Sequence, residues 1–501
     1  MAGREDAVET MFGPGGALAE AGARYEPRAQ QAAMGRAVAE ALDGGHCLVV
    51  EAGTGVGKSL AYLLPAALWA VDHGRRVLVS TYTRALQEQI LDKELPTAAR
   101  ALGILGRSLR YAMLQGADNY LCVQRLSRLR QSPGFFEEDG HGSLLDELAA
   151  WARTAETGRR AQLPRLVPQP LWSKLSRDPD LCLGPQGPYW GSCLYRKDRE
   201  RAERSHIVVV NHALLLSGAR LPPYDALIVD EAHSLEDAAA GHFGVVVTSG
   251  RLMRLLDELR PLPPGFPELA QPTSRCLAEF SAFLEEAARA HGWPGRGAEP
   301  GGRLWEADGK HEEPACLAAL DAALARLCAD GELEAKAEEA VLTLRLAHAR
   351  LAALRADLRA IIEGREEDVA RWVEWSPAGV SLRTSPLDVG PRLGESLLGR
   401  GVPVVLTSAT LASGAGLRGF KAALALDGAR ELRLDSPFDY ESQAALLVQD
   451  DLPPPSDDKR YVSALTRRCR EIVSRVPGGV FIRFSSWKML RAGPARLRRS
   501  I

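Results

Sequence analysis

The 501-residue chain has no apolar run near the ~20 residues a membrane-spanning helix needs. Its first residues lack a basic start followed by an apolar core, so no secretory leader is expected. Net charge is only −2, so nothing global points to a polyanionic partner. No internal repeat is evident. Cysteine is sparse, at positions 47, 122, 182, 193, 276, 316, 328 and 469. In a long chain without a leader these are expected as thiols, and clustered ones as ligands rather than disulfides. These features predict a cytoplasmic protein with no membrane association. The length predicts several domains, about three.

Against these absences, one segment is rich in information. The apolar stretch from Cys47 to Val50 leads into Ala52-Gly53-Thr54-Gly55-Val56-Gly57-Lys58-Ser59, and a helix-forming run from Leu60 to Ala70 follows. Strand, glycine-rich loop and helix are the context of a phosphate-binding loop. Glycines let backbone N–H groups turn around phosphate oxygens, and the next helix aims its N-terminus at the same anion. Lys58 is expected to reach the β- and γ-phosphates of ATP and Ser59 to hold Mg²⁺. By itself such a run could be a surface glycine turn.

A second segment supplies the chemistry of hydrolysis. Ala226 to Val229 reads as a buried strand ending in Asp230-Glu231-Ala232-His233. A carboxylate at a strand end can hold Mg²⁺, and the next can orient an attacking water. Asp230 is the expected metal ligand and Glu231 the expected base, while His233 is expected to couple the site to its surroundings. Taken singly, the same residues could cap a helix. A third strand, Val402 to Leu406, runs into Thr407-Ser408-Ala409-Thr410-Leu411, where Ser408 and Thr410 could relay contacts onward.

In this order the three segments resemble superfamily-two helicases, more narrowly the XPD family and within it the bacterial DinG-like helicases, across nearly the whole chain. Tyr25 to Met34 resembles the family's glutamine motif, which implies that Gln31 reads adenine. Ser80 to Gln89 is similar to motif Ia, which contacts the DNA backbone in these enzymes, with Tyr82 where His is frequent. Val208 to Leu215 is another family-like stretch, and Arg483-Phe484-Ser485-Ser486-Trp487 resembles motif IV. The resemblance implies an α/β fold, a P-loop motor of RecA-like type with two insertions. Residues 25–105, 206–245 and 376–415 would form the first motor domain, after an N-terminal segment 1–24. An iron–sulfur-type insertion would span 106–205, and a helical arch 246–375. An incomplete second motor domain would span 416–501, with a strand at Ala445 to Val448. The leucine spacing at Leu342, Leu346, Leu351, Leu354 and Leu358 predicts packed arch helices. Between 459 and 501, 12 basic residues face 1 acidic one, a tail that could touch nucleic acid or nothing specific.

By the same resemblance Cys122, Cys182 and Cys193 match three of the four ligands of a 4Fe–4S cluster, while Gly187 stands where the remaining ligand would be. Four thiolates are the usual shell. The cluster is therefore either held with a foreign ligand or lost, and the three cysteines are otherwise half-buried thiols.

The activity implied is that of an ATP-dependent DNA helicase. It would translocate on single-stranded DNA in the five-prime to three-prime direction and unwind forked or looped duplexes, as a monomer in the bacterial cytosol, associated with the nucleoid. Family members continue into motifs V and VI, whereas this sequence ends at Ile501, so a truncated protein that binds ATP and DNA without turnover is the alternative. A small-molecule phosphotransferase would explain only the phosphate loop.

Overall fold

Short Val-, Ile- and Leu-rich runs form strands buried on both faces, as a parallel sheet covered by helices requires. In the computed structural model the described residues are 8–22, 25–131, 142–217, 221–260, 262, 266–305, 311–329, 338–412, 416–476, 478–484, 486 and 489–490. Ser485 and Trp487 of the motif IV run, and the tail from 491, lie outside them. In chain order the strands are β1 (Cys47–Ala52), β2 (Val77–Thr81), β3 (Tyr111–Met113), β4 (Ile207–Asn211), β5 (Ala226–Asp230) and β6 (Val246–Thr248). They continue with β7 (Gly301–Leu304), β8 (Val369–Ser376), β9 (Gly379–Pro386), β10 (Val404–Ser408) and β11 (Arg430–Leu434).

Seven of them make a sheet in the order β11-β1-β10-β5-β2-β4-β3, paired parallel throughout. Alternate residues feed two cores. Leu48, Val50, Val77 and Val79 pack with Met34, Val38, Tyr62 and Leu102 on one face. Val49 and Leu78 pack with Leu214, Leu235, Leu393 and Leu424 on the other. The N-terminal segment is part of this body: Met11, Phe12 and Leu18 are buried in the first core. Phe12 lies so close to Gly35 that a Cβ there would come within 2.5 Å of its ring.

Strand pairing draws three boundaries differently from those the resemblance implied. β3 joins the motor sheet beside β4, so the first insertion departs after Met113 rather than at 106. β11 pairs with β1, so residues 430–434, expected in the second motor domain, complete the first sheet. β9, expected in the motor, pairs instead with β6 and β8. Long-range pairing decides each of these, and local apolar pattern does not report it.

The first insertion carries helices Val123–Gln131, Gly142–Thr154 and Gln169–Leu175 around Leu126, Leu148, Leu171, Trp172 and Leu175. Its return helix, Leu194–Glu203, is tied in by a buried chain in which the Tyr120 hydroxyl donates to Asp198 (2.9 Å) and Arg159 pairs with the same carboxylate. The second insertion is helical but not only helical. Helices Ser249–Leu259, Ala270–Ala290, Ala315–Ala329 and Glu338–Ile362 pack on an antiparallel sheet ordered β6-β9-β8-β7. Leu351, Leu354 and Leu358 are buried as the spacing predicts; Leu342 and Leu346 are only half-buried, and Leu344 and Ala347 take the inward positions. The two insertions meet at Glu258, whose buried carboxylate pairs with Arg125 (3.0 Å) and Arg128.

A separate unit covers residues 438–501. It holds helix Asp458–Arg475, capped by Asp457. Residues 445–448, expected as a strand, form none there, and Leu446, Leu447 and Val448 are exposed. Among the described residues no helix is long and apolar enough to cross a membrane.

Candidate functional site

Parallel strands send their C-terminal loops to one edge of a sheet, where such folds bind ligands. β1, β10 and β5 lie side by side with Val50 opposite Thr407 and Thr407 opposite Asp230. Their loops therefore bring the three motif segments to one crevice.

After β1 the chain turns through Gly53 to Gly57 and enters helix Lys58–Asp72. Gly55 and Gly57 hold φ of 89° and 81°, left-handed values that a side chain would strain. A Cβ on Gly57 would also sit 2.4 Å from Gln31 Nε2. Gln31 is buried and donates to the Gly57 carbonyl (3.0 Å), and Arg28 donates to the Gly55 carbonyl (2.5 Å). On the opposite side Gly53 N–H donates to Leu434 of β11 (2.9 Å), and Ser436 donates to the Thr54 carbonyl (2.8 Å). The loop between Ala52 and Ser59 is thus clamped at both ends. Lys58 Nζ reaches back to the Ala52 carbonyl (3.3 Å).

Asp230 is buried at the end of β5, beside Lys58 and the Tyr62 hydroxyl. Burial, reinforced by the Glu231 carboxylate, pushes its carboxyl up to about 6 against the opposing pull of Tyr62 and Lys58. Glu231 adopts φ 53°, ψ 43°, a left-handed conformation rare outside glycine and a form of strain found at functional sites. Its carboxylate lies 3.3 Å from His233 Nδ1, and the same nitrogen lies 2.7 Å from the Ser408 hydroxyl. Ser408 in turn accepts from the Thr410 amide (3.4 Å). His233 therefore spans the ends of β5 and β10.

This donor set suits ATP with Mg²⁺. The buried hydroxyl of Thr407 has no hydrogen-bond partner among the described residues. A Cβ on Gly53 would come within 2.7 Å of the Ser436 amide, so the loop's close approach to its neighbours requires glycine there too.

The cysteines behave differently. Burial pushes the Cys122 thiol up to about 11 despite Arg125, and the Cys182 and Cys193 thiols lie close enough to add to the rise. Gly187 brings no sulfur, and a Cβ there would approach Leu183 Cβ to 3.0 Å. Among the described residues no three His, Cys, Asp or Glu side chains are disposed to hold a metal ion. The residues present do not fit a four-thiolate cluster.

Four contributors escaped the sequence reading. Glu51 Oε2 accepts from the Leu411 (2.7 Å) and Ala412 amides, and Oε1 faces Arg433 (3.3 Å). Arg28 and Tyr62 flank the phosphate loop. His212 joins Ser80 (2.8 Å). A charged residue closing a buried strand was the available signal for Glu51; Arg28 and His212 lay inside motif-like stretches without being singled out, and Tyr62 carried no signal.

A family model for DEAD/DEAH box helicases matches residues 29–119. The chain is 30% identical over 493 residues to the ATP-dependent DNA helicase YoaA of Escherichia coli, covering 96% of this chain and 74% of that one. It is 27% identical to YoaA of Haemophilus influenzae, covering 97% and 75%. It is 31% identical over 511 residues to the ATP-dependent helicase DinG of Mycobacterium tuberculosis, covering 94% and 73%. With identity at this level across nearly all of its length and about three quarters of theirs, the chain belongs to the YoaA/DinG family of ATP-dependent helicases.

Proposed function

We propose that this chain is an ATP-dependent DNA helicase motor, coupling ATP hydrolysis to movement along single-stranded DNA and to duplex unwinding. One observation carries the reading. The His233–Ser408 contact (2.7 Å) ties the strand end bearing Asp230 and Glu231 to the strand beside the phosphate loop, so a change at one is felt at the other.

When bound, ATP supplies the scissile phosphoryl group and Mg²⁺ neutralises its charge. The chain's own residues do the rest. Loop amides from Gly53 to Lys58 cradle phosphate oxygens, and Lys58 adds a cation. Ser59 and Asp230 would hold Mg²⁺. Glu231, half-exposed and partnered by His233, takes the proton of an attacking water. Gln31 and Arg28, already anchored on the loop, close the adenine side. His233, Ser408 and Thr410 pass the state of the site to the segment beyond β10. Single-stranded DNA, and forked or looped duplex, are the substrates we assign, with the chain acting as a monomer in the cytosol beside the nucleoid. Residues 25–113, 206–245 and 387–437 form the ATP-binding motor in this reading, and the two insertions and the unit from 438 serve DNA engagement. No step is assigned to an iron–sulfur cluster.

Steady-state ATP hydrolysis with and without single-stranded DNA, beside Lys58→Ala, tests the reading. DNA-stimulated turnover that disappears in the variant is expected. Turnover that survives Lys58→Ala, or that ignores DNA, would count against it.

A further inference from the structure

Glu51 sits inside the site, yet none of the chemistry above uses it. It stands directly before Ala52, where the phosphate loop begins. Strand pairing sets Ser408 of β10 opposite it on one side and Arg433 of β11 on the other. Its side chain is therefore level with two neighbouring strand ends at once. Oε2 accepts from the amides of Leu411 (2.7 Å) and Ala412, in the turn that follows β10, and Oε1 faces Arg433 (3.3 Å). The two amide bonds fix where that turn lies against β1.

The same turn shapes the contact to the hydrolytic pair. Only Ala409 and Thr410 separate Ser408 from Leu411. The Thr410 amide donates back to the Ser408 hydroxyl oxygen (3.4 Å), and that oxygen lies 2.7 Å from His233 Nδ1. His233 Nδ1 lies 3.3 Å from the Glu231 carboxylate. An unbroken run of contacts thus leads from the root of the phosphate loop through Glu51, the turn and Ser408 to His233 and Glu231. For placing the turn, reach matters more than charge. Arg433 is 60% exposed, and an ion pair so open to water contributes little. Backbone donors near a buried residue such as Leu411 need an acceptor, and one oxygen of Glu51 serves both amides.

Resting on the proposed roles of Glu231 and the phosphate loop, we propose that Glu51 is a positioning residue: by gripping the Leu411 and Ala412 amides it holds the end of β10, and through Ser408 and His233 the Glu231 carboxylate, in register with the phosphate loop. Both of its oxygens are engaged by protein partners, so it acts through them rather than on the nucleotide. Loss of the grip lets the base drift relative to the phosphoryl group, a geometric error to which rates are sensitive.

Two variants separate reach from charge. Glu51→Gln keeps a side-chain oxygen at full length without the charge, and Glu51→Asp keeps the charge one methylene short. With saturating ATP, Mg²⁺ and single-stranded DNA, kcat should fall about tenfold or more in the aspartate variant, while the glutamine variant keeps most of it. KM for ATP should stay within about threefold in both, because the loop keeps its bonds from Gly53 to Leu434 and from Ser436 to Thr54. An aspartate variant as fast as the glutamine one, or a loss expressed in KM alone, overturns the assignment. Ser408→Ala closes a cycle: if Glu51 acts through Ser408, adding Glu51→Asp should slow that variant by less than about twofold, and losses that multiply overturn the assignment. Far-UV circular dichroism checks folding. Amide hydrogen exchange reads the grip without turnover. The Leu411 and Ala412 amides should be protected in the wild type and exchange faster in the aspartate variant. Unprotected amides in the wild type overturn the assignment whether or not a variant folds. Wild-type turnover insensitive to Lys58→Ala would instead sink the proposed function, leaving the exchange at Leu411 and Ala412 to judge Glu51.

Discussion

Glu51 shows how one side chain can bind distant segments into a site. It ends a buried strand, accepts two amides from the loop after β10 and faces Arg433 of β11. Burial by itself would raise its carboxyl pKa, but the Ala412 and Leu411 amides and Arg433 outweigh that and hold it below the usual carboxylate value. The sign of the pH dependence follows. A depressed folded-state value contributes stability above the unfolded carboxylate value, and that contribution is lost as pH falls through the folded one. Glu51→Ala leaves two amides without their acceptor and should cost roughly 1–3 kcal/mol near neutral pH. Melting of wild type and variant at pH 7 and at about pH 3.5 checks this, because the gap should narrow in acid as the wild-type carboxyl takes up its proton. An undiminished gap would mean that the carboxylate charge contributes nothing.

At the level of elements, the described residues join the two insertions by charge, while their apolar cores stay separate. Arg125 and Arg128, three residues apart on one helix, present the same face to Glu258 on another. Arg254–Asp178 and Arg350–Asp180 extend the contact. Removing one member of a buried pair strands the others, at a cost of about 3–5 kcal/mol. Glu258→Ala should therefore speed amide hydrogen exchange in helices Val123–Gln131 and Ser249–Leu259 while leaving β1 and β5 protected. Unchanged exchange in both helices would show that the interface does not depend on this carboxylate. The arch helix Glu338–Ile362 was legible from leucine spacing, though Leu344 rather than Leu342 points inward. The hairpin of β8 and β9 was missed despite its signal. Val373 to Ser376 alternates, and Pro377-Ala378-Gly379 supplies a turn, with Gly379 at φ 116°.

On the scale of the molecule, a motor sheet drawn from distant parts of the chain tolerates insertions because each one leaves and returns at neighbouring points. The second insertion enters on β6 and exits on β9, where Val246 pairs with Arg383. Directly paired antiparallel residues have Cα atoms about 5 Å apart. Replacing 249–380 by a short glycine–serine turn should leave a folded protein whose nucleotide affinity, measured with a fluorescent ATP analogue, stays within about threefold of wild type. The removed apolar residues form their own core, apart from the two that flank the sheet. Loss of binding or folding would show that the arch supports the motor directly.

What the sequence determined by itself is local. Strand, glycine loop and helix between Cys47 and Asp72 follow from residues adjacent in the chain, where backbone freedom, apolar run and helix propensity act together. The chemical types at 58–59, 230–231, 233 and 408 could be read there for the same reason. Tertiary structure decided what depends on partners far along the chain. β11 joins β1 across 382 residues at the Glu51–Arg433 contact, and His212 meets Ser80 across 132 residues because β2 lies beside β4. Sheet order sets such meetings, and it is fixed by which buried surfaces and hydrogen-bonding edges satisfy one another in the assembled fold, a property of no single segment.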